Sequence, residues 1–276
     1  MNKVSIQGQL NSFHDIAAKK FFDEPKIISC STFKETVSEL TKSNSDYSVV
    51  AIENSLYGTI NEVYDLILNN QVKIVGEIYL RIEQNLIGIP VSELTDIKEV
   101  HSHPVALAQC EDYLDINLSE ASRFEHHDTA GSVIDIKKWG DKTKAAIASK
   151  EAAIDNDMKI LAESIETNKQ NYTRFVILSK NHNSIFENSN KTSLVIQTEK
   201  DNKSGSLAKV LNIFANKNIN VTALHSRPII GKAWHYMFYI DAEIGNNDAE
   251  YNSIIQDLLL IGCKVKILGN YESGLK

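Results

Sequence analysis

With 276 residues, of which 42% are hydrophobic and 24% charged, the chain can bury one large core or two of ordinary size, as a soluble globular protein does. Its formal net charge of −7, with lysines spread along the chain, excludes a nucleic-acid platform, because neutralising phosphates takes clustered Lys and Arg. No apolar run approaches the roughly 20 residues needed to cross a bilayer, and MNKVSIQGQLNSF has no apolar stretch ending in a small-residue cleavage site, so neither a membrane partner nor export is expected.

In chain order, KVSIQ (3–7), KIISC (26–30), YSVVAIE (47–53), VKIVGEI (72–78), EVHS (99–102) and KAAIAS (144–149) read as short apolar strands. Between them Phe13, Ile16, Ala17 and Phe21, then Ile60, Val63, Tyr64, Ile67 and Leu68, fall at helical spacing. Strands alternating with helices predict an α/β sheet, mostly parallel. The stretch SKNHNSIFENSNK is polar and aperiodic and reads as a linker at 181–190.

The C-terminal third has a different order. TSLVIQT (192–198) is a strand, and Leu207, Val210, Leu211 and Phe214 form a helical stripe. INVTALHSRPI (219–229) and WHYMFYIDAEI (234–244) read as strands turning at Gly231. Asn247 with Glu250 reads as a capping box before the stripe Tyr251, Ile254, Ile255 and Leu258, and CKVKILGNY (263–271) closes the unit. The order β-α-β-β-α-β is ferredoxin-like.

Three separated cysteines, Cys30, Cys110 and Cys263, fit neither a disulfide framework nor a CxxC zinc site and read as buried thiols in a cytoplasm. An acidic chain that binds an anion must hold it locally. Ligands of open α/β sheets bind beyond the carboxyl ends of strands, and each strand exit here offers a capping residue before a helix. ENSLYGTI comes after Ile52, HSHP after Val100, EHHDTAGS after Phe124 and ASKEAA after Ile147. The bland reading is a set of N-caps, each contributing about 0.5–2 kcal/mol. The functional one is several helix N-termini facing one cleft, with Gly8 and Gly58 allowing close backbone approach. No GxGxxG, GxxxxGK[ST] or GxSxG motif is present, and His101, His103, His126 and His127 lack the spacing and partners of a metal site.

NYTRFVIL (171–178) places a hydroxyl and a guanidinium directly before a buried strand, in a chain whose other arginines are Arg81, Arg123 and Arg227. TRF (173–175), ENSLYG (53–58), SHPVALAQC (102–110), DTAGS (128–132) and AAIASKEAA (145–153) resemble the prephenate dehydratase family. GQLNSFHDIAA (8–18) is similar to that family's opening segment, somewhat altered, while GSLAKVL (205–211) and HSRPIIGKAW (225–234) are similar to its ACT regulatory domain.

The resemblance implies an α/β, two-lobed catalytic domain like type 2 periplasmic binding proteins at 1–180, with lobe one at 1–75 and 162–180 and lobe two at 76–161. A ferredoxin-like ACT domain is implied at 191–276. The family's reaction is removal of water and carbon dioxide from prephenate to give phenylpyruvate, here in a monofunctional enzyme of phenylalanine biosynthesis. Aromatisation drives this reaction, so no cofactor and no metal are required. The side-chain carboxylate is to be anchored by charge and hydrogen bonds. The ring carboxylate, which leaves uncharged, is not to be strongly paired, and the departing hydroxyl needs a hydrogen-bond donor.

By the same resemblance Thr173 polarises the leaving hydroxyl, Arg174 either holds a carboxylate or braces the loop, and Phe175 is hinge packing or a cleft wall. Glu53, Asn54, Ser55, Gly58, Ser102, Gln109, His127 and Thr129 orient substrate; His127 stands where some members carry a glutamate. Gly205, Ser206, Leu207 and Ala208 with His225, Ser226, Arg227 and Pro228 would bind phenylalanine as inhibitor in a homodimer or homotetramer. His225 replaces the glutamate of the family's ESRP motif, and Gly205-Ser206-Leu207 replaces GAL. Arogenate dehydratase and a non-catalytic small-anion or amino-acid sensor are the alternatives.

Overall fold

The computed structural model describes residues 1–180, 189–198 and 203–274. The chain divides into two compact units, Met1–Leu66 with Tyr79–Phe175, and Ile67–Ile78 with Val176–Lys276. Most of the linker expected at 181–190 lies outside the described residues.

The first unit opens with β1 (Lys3–Gln7), α1 (Phe13–Phe21), β2 (Lys26–Cys30), α2 (Phe33–Thr41), β3 (Tyr47–Asn54), β4 (Gly58–Thr59) and the start of α3 (Asn61–Asn69), whose residues from Ile67 count with the second unit. Here β1 pairs in parallel with both β2 and β3, and β4 folds back on β3. Val4 and Ile6 of β1 and Val49, Val50 and Ile52 of β3 are buried, the continuous apolar reading expected of a covered parallel sheet. The hydroxyl of Ser5, buried among them, is satisfied by Ser48 Oγ at 2.7 Å and donates toward Thr36 O at 3.0 Å. In α1 the buried face is not the predicted stripe. Ala17 is buried as expected, but His14, Asp15 and Ala18 lie deeper than Phe13, Ile16 and Phe21, because the helix start turns its polar residues inward.

The chain continues as β5 (Lys73–Arg81), β6 (Asn85–Gly88), β7 (Glu99–Ser102), α4 (Pro104–Gln109), α5 (Glu111–Asn117), β8 (Ser122–Glu125), α6 (Thr129–Trp139), β9 (Lys144–Ala148), α7 (Lys150–Asp155), β10 (Lys159–Ala162) and β11 (Tyr172–Ser179). A second sheet forms in the order β10-β6-β9-β7-β8. In it β7 runs parallel to β8 and β9, while β6 is antiparallel to β9 and β10, so this sheet is mixed rather than mostly parallel. Its core is small and aliphatic, with Val133 and Ile136 of α6 against Ala146 and Ala148. The short strands β6 and β10 are not in the sequence reading, and β8 enters it only through the strand exit after Phe124. Two sheets flanked by helices make the two lobes of an α/β, periplasmic-binding-protein-like domain. Pro104 opens α4 at its first turn, as its missing N–H allows.

The second unit holds the start of β5 and then β12 (Lys191–Gln197), α8 (Ser206–Ala215), β13 (Val221–Pro228), β14 (Tyr236–Ala242), α9 (Ala249–Leu260) and β15 (Lys264–Tyr271). The ladder β13-β14-β12-β15 is antiparallel throughout, the ferredoxin-like ACT arrangement. Val210 and Phe214 of α8 and Ile254 and Leu258 of α9 pack on Leu194, Ile196 and Ile240. Beside β15 runs β5, through Gly269 and Ile74, where a Cβ on Gly269 would fall 2.1 Å from Ile74 O; glycine is required there. The expected Asn247–Glu250 capping box is absent. Asp248 is the N-cap, its carboxylate accepts from Gly245 N at 2.6 Å, and no side chain caps α9. Lys191 Nζ lies 3.0 and 3.1 Å from the two oxygens of Glu77, a buried ion pair within this unit.

Candidate active site

The candidate site is assembled where β3 ends and β11 begins. Successive residues of a strand face opposite ways, so Thr173 and Phe175 of β11 both line a cavity of about 330 Å³ in the first unit, while Arg174 between them does not. Arg174 is buried and is not among the residues that line this cavity.

The orientation of the Thr173 hydroxyl is set by Asn54. Asn54 Oδ1 accepts from the backbone N–H groups of Leu56 and Tyr57, both at 3.0 Å, which fixes the amide's direction. Its Nδ2 then donates to Asn171 Oδ1 at 2.8 Å and to Thr173 Oγ1 at 2.9 Å. Because Thr173 Oγ1 is an acceptor in that bond, its own proton points away from Asn54, and among the described residues no acceptor takes it. A buried hydroxyl proton is thus left for whatever fills the cavity.

Below these strands the turn at Gly8, with φ of 96°, leads to Ser12, whose hydroxyl caps α1. His14 lies in the first turn of that helix. Its Nε2 accepts from Ala51 N at 3.1 Å, so the neutral ring carries its proton on Nδ1. Burial lowers the His14 pKa to about 3. The ring meets the edge of Phe175 at 5.1 Å and tilts against Phe33 at 5.6 Å, and all three line the cavity.

The opposite wall comes from the second sheet. Gln84 Nε2 donates to Gln109 Oε1 at 3.1 Å, which leaves the Gln109 amide N–H groups for the cavity, while Gln84 Oε1 is buried without a hydrogen-bond partner among the described residues. The backbone of Gln84 is held by Glu166 Oε2 at 2.9 Å, and Glu166 is in turn within 3.4 Å of Arg81. His103 caps α4 by accepting from Val105 N through Nδ1. Burial lowers its pKa, opposed by the nearby Asp128 carboxylate. Asp128 caps α6 through Gly131 N at 2.6 Å, so Thr129 begins a helix whose dipole end faces the same space. His127 Nε2 is bonded to Ser31 O at 3.1 Å.

Of the expected substrate-orienting residues, Asn54, Gly58, Gln109, His127 and Thr129 line the cavity. Three do not. Ser55 Oγ donates to Gln170 O at 2.9 Å and accepts from Tyr172 N, stitching β3 to β11. Ser102 Oγ donates to Ile147 O at 2.6 Å, stitching β7 to β9. Glu53 pairs with Thr59 in the β3–β4 hairpin. The sequence reading missed His14, Gln84 and Asp128. Within GQLNSFHDIAA, His14 looks like a polar gap in an apolar stripe, and nothing in RIEQNL marks Gln84. No Lys or Arg lines the cavity among the described residues, so charge anchoring of a carboxylate is replaced by neutral donors and helix ends.

In the second unit a cavity of about 390 Å³ is lined by Gly205, Ser206, Leu207 and Ala208 at the start of α8, with Lys203, Tyr236 and Phe238. Gly205 is the N-cap, with φ of 80° and no side-chain cap; Ser206 N–H is bonded to Lys203 O at 3.1 Å, which leaves the N–H groups of Leu207 and Ala208 for an anion. His225, Ser226, Arg227 and Pro228 lie on the edge strand β13, opposite Tyr239, Phe238, Met237 and Tyr236. They are not among the residues lining this cavity.

The prephenate dehydratase family model matches residues 4–183, and the ACT domain model matches residues 196–258. The chain belongs to the prephenate dehydratase family. A prephenate dehydratase of Methanocaldococcus jannaschii is 36% identical over 278 residues, covering 98% of this chain and 98% of the relative. Among solved structures, a prephenate dehydratase of Arthrobacter aurescens in complex with L-Phe matches with a TM-score of 0.87 and 25% identity, over 99% of this chain and 90% of that one. Another, described as a novel type of quorum quenching acylase, matches with a TM-score of 0.87 and 28% identity, over 98% of this chain and 97% of that one. As a member of the prephenate dehydratase family, the chain has its motif threonine on the cavity wall and its motif arginine turned away from it.

Proposed function

We infer that the chain converts prephenate to phenylpyruvate, water and carbon dioxide, with residues 1–180 as the catalytic part and 191–276 as the regulatory part. The C–C bond to the ring carboxylate breaks, its electron pair enters the ring, and the ring C–O bond breaks as the hydroxyl oxygen takes up a proton from solvent water. The observation that carries this reading is the Thr173 hydroxyl on the cavity wall, which accepts from Asn54 Nδ2 and so keeps its own proton for a ligand. A threonine hydroxyl is too weak an acid to protonate the leaving oxygen alone near pH 7. Thr173 therefore polarises it by a hydrogen bond that strengthens as negative charge grows.

The absence of Lys and Arg among the lining residues suits the second half of the reaction, since a cation on the ring carboxylate would stabilise the ground state more than the transition state. Acyl hydrolysis, suggested by the acylase neighbour, needs a base within hydrogen-bond reach of a nucleophile. The partner of Thr173 is an amide donor instead.

Phenylalanine is the effector this reading assigns to the start of α8, its carboxylate on the N–H groups of Leu207 and Ala208 and its ring toward Phe238. A homodimer or homotetramer, in a cytoplasm where the buried Cys30, Cys110 and Cys263 stay as thiols, completes the proposal.

The test is turnover of prephenate, with arogenate in parallel, by wild type, Thr173→Ala and Thr173→Ser. Thr173→Ala is expected to lower kcat about 100-fold or more with KM within threefold, and Thr173→Ser to keep most of the rate. Full turnover by Thr173→Ala removes the assigned role; preference for arogenate replaces the substrate; an inert wild type favours the sensor reading.

A further inference from the structure

We propose that His14 binds substrate directly, its Nδ1–H donating a hydrogen bond to the carboxylate that departs as carbon dioxide. The proposal rests on the prephenate reading for the identity of the acceptor.

The Ala51 N–H points at Nε2 from 3.1 Å, so that nitrogen holds a lone pair and the proton sits on Nδ1. Protonating both nitrogens would set an N–H against an N–H and orphan the buried Ala51 amide. The hydrogen bond and the apolar surroundings thus act together, and burial lowers the ring's pKa to about 3. No acceptor for Nδ1–H exists among the described residues, although His14 lies on the cavity wall. The ring packs edge-on to Phe175, which shares a strand face with Thr173, so the two donors belong to one side of the cavity.

The chemistry of the two carboxylates selects the acceptor. A side-chain carboxylate keeps its charge throughout and suits the wall built from the α6 N-terminus and the Gln109 amide. The ring carboxylate loses its charge as it leaves. A neutral donor orients it without the deep ground-state stabilisation of an ammonium or guanidinium. An imidazole locked in one neutral tautomer meets that requirement.

Three substitutions separate substrate binding from a structural role, because Gln reproduces the reach of Nε2 and Asn that of Nδ1. His14→Gln is expected to keep the acceptor for Ala51 N–H, with a melting temperature near wild type, yet to raise KM for prephenate at least tenfold with kcat within threefold. His14→Asn is expected to restore KM to within about threefold of wild type, and His14→Phe to behave as His14→Gln in KM. Ring nitrogen shifts by NMR are expected to show Nδ1 protonated and Nε2 bare from pH 5 to 8. An unchanged KM in His14→Gln and His14→Phe, or a proton found on Nε2, overturns the assignment alone. A wild type inert toward prephenate overturns it together with the functional reading.

Discussion

His14 is neutral in the fold and would not be neutral in the unfolded chain at mildly acidic pH. Its folded pKa of about 3 lies below the usual 6.5, so between those values the unfolded state binds the extra proton. The resulting stability is fully present above pH 6.5 and is lost as pH falls toward 3, by up to about 1.4 kcal/mol per pH unit. Wild type is therefore expected to lose roughly 2 kcal/mol more than His14→Phe between pH 7 and pH 5, read from denaturant midpoints at the two pH values. Equal losses in the two proteins mean that His14 is protonated in the fold or already neutral outside it. A histidine in GQLNSFHDIAA carries no such mark in the sequence; its state is set by Ala51, a residue 37 positions away.

At the scale of elements, the turn after β3 and the start of β11 act as one device, with Asn54 as its centre. Asn54→Asp tests this arrangement. The retained oxygen still accepts from Leu56 and Tyr57 N–H, but the second oxygen faces Asn171 Oδ1 and Thr173 Oγ1 where a donor stood. The carboxylate would capture the threonine proton and turn it from the cavity. A fall in kcat of about 10- to 100-fold is expected, with a loss of roughly 1–3 kcal/mol in stability, checked by steady-state kinetics and urea unfolding. Unchanged kcat would mean the Thr173 proton is not set by Asn54. At this scale the apolar strands β1 and β3 were legible because burial on both faces writes itself as an apolar run. The buried face of α1 was not, since His14 and Asp15 are held inward by partners rather than by hydrophobicity.

For the whole molecule, the two units divide catalysis from regulation in the proposed function, and ligand linkage measures the second. Phenylalanine that binds the folded chain alone stabilises it by about 2.7 kcal/mol at 100 times its Kd. An upward shift in melting temperature with rising phenylalanine is expected, accompanied by falling prephenate turnover. Ser206→Trp, which fills the cavity at the start of α8, is expected to abolish the shift while leaving turnover without phenylalanine near wild type. A full shift in Ser206→Trp would move the effector site away from Gly205; a shift without inhibition would leave a binding unit that does not regulate.

The sequence by itself determined the alternation of strands and helices, the βαββαβ close and the family, because apolar period and ordered motifs are local patterns. It also contained Thr173, Asn54 and Gln109 as candidates. The tertiary structure decided which candidates share a cavity. Strand alternation sends Arg174 the other way, backbone carbonyls occupy the Ser55 and Ser102 hydroxyls, and distant chain brings in Gln84 and selects the His14 tautomer. Hydrogen-bond direction depends on partners far apart in the chain, and no local pattern of residues encodes it.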